Sequence, residues 1–543
     1  MSNAKFTLPE PVNEPVKTYK AGSPEKLELK AKLEEMASQK IEIPLIIGGK
    51  EIKTGNTGEI VMPHDHNHVL ATYHKAGDKE IQMAIEASQK ARKTWANMPW
   101  EQRASVFKKM AELLSGPWRA TTNAATMLNQ SKNVHQAEID SACELIDFWN
   151  FNVKYMEQIY EQQPYSPKGF WNRLEQRALE GFIFAVTPFN FTSIAGNLPT
   201  APAMMGNVVL WKPASSTVFS GYYLMKLFQA AGLPDGVINF IPGSGSKVGP
   251  KVLESPLFAG VHFTGSTGVF QGMWETIGKN IANYKTYPRI VGETGGKDFI
   301  FVHNTAKPDE VVTGMVRGAF EYQGQKCSAA SRAYVPKSLW PEISDKLVKT
   351  VNTMTMGDVM DFTHFMNAVI DRPAFNTITS YIDHARDSKD AEFLTGGKYD
   401  DSKGFFIEPT IIVTTDPRFK TMEEEIFGPV LTIYVYEDDK LEEALELCDT
   451  TSPYALTGCV FSQDRHEITR ITRRLEHAAG NFYINDKPTA AVVGQQPFGG
   501  SRASGTNDKA GSMINLLRWV TPRTLKETYI PPTDYRYPFQ EEK

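Results

Sequence analysis

Between Gly181 and Asn485 the hydrophobic residues gather into short runs instead of helical stripes. GFIFAV, NVVLW, GVINFI and AGVHFTG come first, followed by DFIFV, RAYVP, LTIYVY, TGCVF and NFYIND. Runs this short and this continuously apolar read as strands buried on both faces. Helical patterns such as Ser220 to Gly232, Asp309 to Gln323 and Leu441 to Cys448 lie between them. Strands alternating with helices give βαβ units and parallel sheets covered on both sides. The alternation resumes beyond Glu293, so the class expected is α/β with two modules in one chain. Before Gly181 the pattern is helical. Glu25 to Lys40 reads as a charged surface helix. Asp78 caps a helix with Ile81, Ala84 and Ile85 on one face, and another carries Ala104, Phe107, Met110, Ala111 and Leu114 to a stop at Gly116-Pro117. A third helix is expected from about Val134 to Gln158.

Composition narrows the classes further. At ~150 residues per domain, 543 residues make two to four domains, and 41% hydrophobic residues suffice for a sizeable core. With 58 Lys+Arg against 63 Asp+Glu, no positive field exists to hold nucleic acid. Four cysteines, none spaced CxxC, are not a disulfide framework and suit an intracellular protein with reduced thiols. No charged residue lies between Gly181 and Trp211. Pro188, Asn190, Asn197, Pro199, Pro202 and Asn207 are costly in lipid, so a buried segment is expected there and no membrane span. The first twenty residues have Glu10 and Glu14, no Arg and no apolar core, unlike a transit peptide. A cytoplasmic location is expected if the source is bacterial, and the mitochondrial matrix, as a mature form, if it is eukaryotic.

Several residues could carry chemistry. Cys327, in EYQGQKCSAASR, is the one cysteine placed in a loop, among small neighbours that would leave a thiol open to attack a carbonyl. A small buried hydrophobe is the alternative, and it suits Cys143, Cys448 and Cys459. Glu293, in RIVGETGGKDFIFV, stands between glycines at a module edge, as a general base or as a solvated turn acid. Asn190 follows a strand in VTPFNF, where its amide could serve an oxyanion or simply a turn. Gly243, Gly245 and Gly249 form GxGxxxG, one residue longer than the dinucleotide fingerprint. Thr264, Gly265 and Ser266 follow another strand, where backbone amides could meet a pyrophosphate. His64, His66 and His68 read as a solvated polar loop, and no metal site is expected.

Taken together, TPFN at 187–190, WKP at 211–213, FTGS at 263–266, GETGGK at 292–297, GQKCS at 324–328, EEIFGP at 424–429 and PFGG at 497–500 resemble the aldehyde dehydrogenase superfamily. Glu293 and Cys327 stand 34 residues apart, as that family's base and nucleophile do. AEIDSACELIDFWNFN at 137–152 and GQQPFGGSRASGTNDKAG at 494–511 look like its pyrroline-5-carboxylate dehydrogenases, of the monofunctional type.

The resemblance implies an aldehyde dehydrogenase fold. A Rossmann-like cofactor domain would hold 1–160 and 180–295, and an α/β catalytic domain 296–485. A small oligomerisation hairpin at 161–179, with 512–535, would pair subunits. It implies NAD-dependent oxidation of L-glutamate γ-semialdehyde to L-glutamate in proline catabolism, through a cysteine thiohemiacetal and thioester. Another carboxylated semialdehyde, such as succinate semialdehyde, is the alternative substrate. By the same carry-over Cys327 is the nucleophile, Glu293 the base and Asn190 the oxyanion donor. Lys212, Gly243, Gly245, Phe263, Gly265, Ser266, Glu425 and Phe427 would line the NAD site. Phe191 and Phe498 would sandwich the substrate chain, Ser328 and the loop with Ala490 and Ala491 would hold its α-carboxylate, and Glu144 would receive its α-ammonium. A homodimer or larger homo-oligomer is expected, with a proline dehydrogenase contact as a further expectation.

Two positions depart from the pattern. Thr489-Ala490-Ala491 stand where the family carries a glycine, and Ala at a positive-φ position is costly. Ser215 follows Lys212 where many NAD-selective relatives have Glu, so NADP is not excluded.

Overall fold

A computed structural model describes residues 4–541. Two seven-stranded sheets dominate it. The first runs, in spatial order, Arg289–Glu293, Phe258–Thr264, Phe182–Val186, Val208–Lys212, Ile238–Phe240, Leu45–Ile47 and Lys50–Ile52. Its first five strands are parallel, and the 45–52 hairpin closes the edge antiparallel. Phe182, Ile183, Phe184 and Ala185 are all buried, as are Val208 to Lys212, which is why these runs carry no alternation. The second runs Ala391–Thr395, Thr410–Thr414, Val430–Tyr436, Ala330–Pro336, Asp298–Val302, Thr457–Phe461 and Asn481–Ile484, parallel except at its first pair.

The uncharged stretch 181–211 is strand, loop, helix Thr192–Met204 and strand, all packed inside the protein. Pro199 and Pro202 lie inside that helix, where tertiary burial outweighs their poor propensity. No helix among the described residues is long and apolar enough to cross a membrane.

Four expectations are corrected. The helix at the start, Pro24–Ala37, is not wholly a surface element: Leu29, Leu33 and Met36 are buried against helix Arg119–Gln130. The helix expected from Val134 is α-helical over Val134–Ala137, π-helical over Glu138–Glu144 and α-helical again over Leu145–Glu161. Residues 161–179 do not fold on themselves as a hairpin. Phe170–Ala178 pairs antiparallel with Val520–Thr528, within the C-terminal segment expected to join it, forming a ribbon from two distant parts of the chain. His64 to His68 is no solvated loop, because strand Asp65–His74 begins within it. His64 is buried beside Ser131 (3.2 Å), His66 bonds the Asp401 carbonyl and His68 the Ala37 carbonyl.

An extended N-terminal strap crosses the π-helical turn. The amide of Asn13 donates to Asp147 (2.7 Å) and to the Val493 carbonyl (2.8 Å). The Lys17 backbone N–H and the Tyr19 hydroxyl donate to the two oxygens of buried Glu138, which also pairs with Arg119.

One turn sets the approach to Cys327. Tyr322, Gln323 and Gly324 are successively left-handed, with φ of 51°, 55° and 66°. Gln323 repays that strain by donating to the carbonyls of Ser131 (3.0 Å) and Ala368 (2.8 Å) and accepting from the Asn367 N–H (3.0 Å). A Cβ on Gly324 would lie 2.2 Å from the Gly428 carbonyl oxygen, so the two loops touch backbone to backbone. Gly324→Ala is expected to destabilise the chain by about 1–3 kcal/mol from the backbone alone. Urea or thermal unfolding of the variant beside the parent checks this, and an unchanged midpoint would show that the loops part freely.

Candidate active site

The parallel strands of the first sheet end together, and their C-terminal edge is where the sequence-selected residues gather. Asn190 follows Val186, Lys212 closes its strand, Gly243 follows Phe240, and Thr264 pairs in register with Glu293. The second sheet supplies Cys327 from the loop before Ala330–Pro336. The thiol of Cys327 donates to Glu293 Oε1 at 3.8 Å. The Asn190 amide is buried and donates to the Gln325 carbonyl at 3.1 Å, two residues before the thiol.

Electrostatics around the pair follow from burial. Glu293 is pushed up to about 7 by desolvation, with the Cys327 thiol and the Lys509 ammonium opposing that rise. Burial also pushes Cys327 well above the ordinary thiol range, helped by Glu293, Asp298 and Glu425. The free site therefore holds a thiol beside a carboxyl poised near neutrality, close enough for a proton to pass between them.

A cavity of about 540 Å³ opens over Cys327 and Glu293. Phe191, Phe498, Ser328, Ala490, Ala491 and Glu144 all line it, so every residue expected to meet substrate faces one space. Neither Ala490 nor Ala491 has a positive φ, so the loop without glycine carries no left-handed strain. Glu144 is pushed up to about 8 by burial and by Asp140, while the Ser193 hydroxyl donates to it at 3.0 Å.

The dinucleotide-site candidates form a second group. Lys212 is buried, its ammonium bonded to the Pro213 carbonyl (3.0 Å), and burial lowers it to about 8. A Cβ on Gly245 would come 3.8 Å from Lys212 Cε. Helices Gly245–Leu253 and Thr267–Asn280 begin at Ser244 and Ser266, whose side chains do not cap them, so their first N–H groups stay open to an anion. Gly243 packs on Val248, and Gly265 folds against Phe263, which stacks on Phe270 at 5.3 Å. Glu425 accepts from the Gly296 N–H (2.8 Å) and is pushed up to about 7 by burial. Phe427 has φ 58° and meets Phe189 edge-on at 5.6 Å. A cation, open helix ends and a backbone-held carboxylate are the donors and acceptors that a pyrophosphate and ribose hydroxyls require, so this set fits a dinucleotide.

Sequence reasoning did not select Asp140, Lys132, Lys326 or Lys509. The first two are buried as an ion pair at 2.6 Å. Lys326 pairs with Glu321, and Lys509 donates to the Gly480 and Gly499 carbonyls (2.8 and 2.9 Å) beside Phe498. Asp140 lies inside AEIDSACELIDFWNFN, Lys326 inside GQKCS and Lys509 inside the NDKAG stretch, all motifs already singled out, whereas Lys132 lies in none of them. Among the described residues no group of three His, Cys, Asp or Glu side chains could hold a metal ion.

The sequence model of the aldehyde dehydrogenase family matches residues 51–523. A mitochondrial delta-1-pyrroline-5-carboxylate dehydrogenase from Dictyostelium discoideum is 55% identical, covering 99% of this chain and 97% of its own. The human mitochondrial enzyme of that name is 47% identical, covering 97% and 94%. A crystal structure of the Mycobacterium tuberculosis delta-pyrroline-5-carboxylate dehydrogenase bound with NAD superposes with a TM-score of 0.96. It is 49% identical over 99% of both chains.

The raised Glu293 carboxyl has a consequence for stability. The folded chain holds that proton more tightly than the unfolded chain, so stability falls as pH rises from the ordinary value of 4.5 to about 7. Glu293→Gln is therefore expected to unfold at a higher temperature than the parent at about pH 8, the gap closing near pH 5. Calorimetric scans at both pH values decide it; equal midpoints at the higher pH would mean the carboxylate is well solvated where it stands.

Proposed function

The chain belongs to the aldehyde dehydrogenase family, and within it we propose that it oxidises L-glutamate γ-semialdehyde, the open form of pyrroline-5-carboxylate, to L-glutamate with NAD. The observation that carries this reading is the single cavity with Cys327 and Glu293 at one side and Glu144, Ser328 and the 489–491 loop around the rest. The named relatives, 47–55% identical along almost the whole chain, support the same substrate.

Cys327 loses its proton to Glu293 and its sulfur attacks the aldehyde carbon, forming a thiohemiacetal. The backbone N–H of Cys327 and the Asn190 amide receive the oxyanion, the amide having a second N–H beyond the one given to Gln325. A bound NAD would supply the hydride acceptor through which the thiohemiacetal becomes a thioester on the Cys327 sulfur. Lys212 and Glu425 would hold its riboses, the open helix ends with Ser266 its pyrophosphate, and Phe427 its nicotinamide. Once Glu293 has released the proton it took from Cys327 to solvent, which its value of about 7 allows near neutral pH, it deprotonates the water that hydrolyses the thioester. Phe191 and Phe498 flank the aliphatic chain. Ser328 with the 489–491 amides takes the α-carboxylate, and Glu144 takes the α-ammonium.

The ribbon of Phe170–Ala178 and Val520–Thr528 has free edges on both strands and an exposed Trp171, features that support pairing with a second copy there. The mitochondrial names of the Dictyostelium and human relatives support a mitochondrial location for a eukaryotic source.

NADH formation with pyrroline-5-carboxylate, run beside succinate semialdehyde, tests the substrate. A kcat/KM at least ten-fold higher for pyrroline-5-carboxylate is expected, about 1.4 kcal/mol of discrimination. Equal or reversed preference would sink the glutamate semialdehyde reading while leaving the family. Cys327→Ala is expected to abolish turnover, and repeating the assay with NADP measures the effect of Ser215 in place of an acid.

A further inference from the structure

Helix Thr192–Met204 begins with an unusual cap. Its N-cap residue is Phe191, which has no side-chain acceptor for the first N–H groups. The ring instead faces the substrate cavity. The missing acceptor comes from another element: the carboxylate of Asp140, in the π-helical turn, accepts from the Thr192 N–H at 2.9 Å and the Ser193 N–H at 2.8 Å. Asp140 is fully buried, and its charge is met by Lys132 at 2.6 Å. The same ammonium lies 4.2 Å above the Phe191 ring centroid and 4.4 Å from that of Tyr322. One residue further along, the Ser193 hydroxyl donates to Glu144.

We propose that Asp140 is a positioning residue for substrate selection: by capping helix Thr192–Met204 from outside, it fixes the Phe191 ring and the Ser193–Glu144 contact against which the far end of the substrate is read. A side chain that could cap its own helix at position 191 would leave the cavity without its aromatic wall. Asp140 separates the two tasks, and Lys132 keeps its charge tolerable in the interior. The π-turn presents Asp140 to the helix and Glu144 to the cavity from one short segment. The inference rests on the proposed function only in the identity of the substrate's far end.

Asp140→Asn tests it. An amide in this place keeps the shape but must set its NH2 against a backbone N–H or the Lys132 ammonium. The variant is expected to raise KM for pyrroline-5-carboxylate at least ten-fold with kcat within about two-fold of the parent's. KM for NAD should stay within about two-fold, and kcat/KM for propanal, which meets Phe191 but has no charged far end, should fall clearly less than that for pyrroline-5-carboxylate. If the unpaired Lys132 prevents folding, Asp140→Asn with Lys132→Met removes the stranded charge and is expected to show the same selective rise. Ser193→Ala, which leaves the ion pair intact, should give a smaller rise of the same kind. An unchanged KM in a folded variant, or an equal loss on propanal, would overturn the proposal. The parent's preference between pyrroline-5-carboxylate and succinate semialdehyde judges the substrate separately. If succinate semialdehyde is preferred, the variant-to-parent ratio is read on it against propanal.

Discussion

The active centre depends on a strained turn. Two non-glycine residues in a row, Tyr322 and Gln323, are held left-handed, each at a cost of about 1–3 kcal/mol. Backbone acceptors and a donor from Ser131, Ala368 and Asn367 hold Gln323, and the Gln325 side chain accepts from the Ile370 N–H at 2.8 Å. Two glutamine side chains thus tie the loop of Cys327 to the helical layer of the first module and to the 366–370 segment. Gly324 brings the same loop against Gly428, and a Cβ on Gly296 would lie 2.2 Å from the Cys327 carbonyl oxygen. The GETGGK, GQKCS and EEIFGP motifs are therefore one contact, three backbones meeting around a thiol.

That convergence excludes water, and the titrating groups answer to it. Carboxyls at Glu293, Glu425 and Asp298 all rise, while Lys212 and Lys297 fall, each chiefly through desolvation. The result is a site with little fixed charge, in which an ionised thiol is unfavourable until its proton has somewhere to go. Placing Glu293 at the end of a strand of one sheet and Cys327 in the loop that enters a central strand of the other makes proton transfer a matter of how the two sheets meet.

Much of this was legible in the sequence. The apolar runs predicted the buried parallel strands, because a strand covered on both faces has no polar alternation to hide. The residues that follow those runs, Asn190, Lys212, Ser266 and Glu293, lie along one edge, because parallel strands all point the same way. The burial of Asp140 and Lys132 was not legible, since an acid within a helical pattern looks like a solvated face and a Lys in the loop before it looks like surface; only the tertiary pairing takes both inside. The π-turn has no signature in spacing, being one residue too many within a pattern that otherwise reads as helix. The resemblance joins 161–179 with 512–535, and Phe170–Ala178 does pair with Val520–Thr528, but nothing in either strand's own residues names a partner 342–358 positions away. The His64 to His68 run looked solvated because strand alternation and loop polarity read alike over five residues.

The N-terminal strap bears on the order in which this chain can be built. Asn13 holds the Val493 carbonyl across 480 positions of sequence. As the chain leaves the ribosome, every strand of the first sheet is present once residue 293 has emerged. The strap and the loop that lines the pocket must wait for almost all of the remaining chain. Loop closure over such a span is paid late, after both sheets exist to hold its ends near each other. The pocket is thus closed only near the end of synthesis, followed by the ribbon that needs Val520–Thr528, and until then its apolar wall stands open.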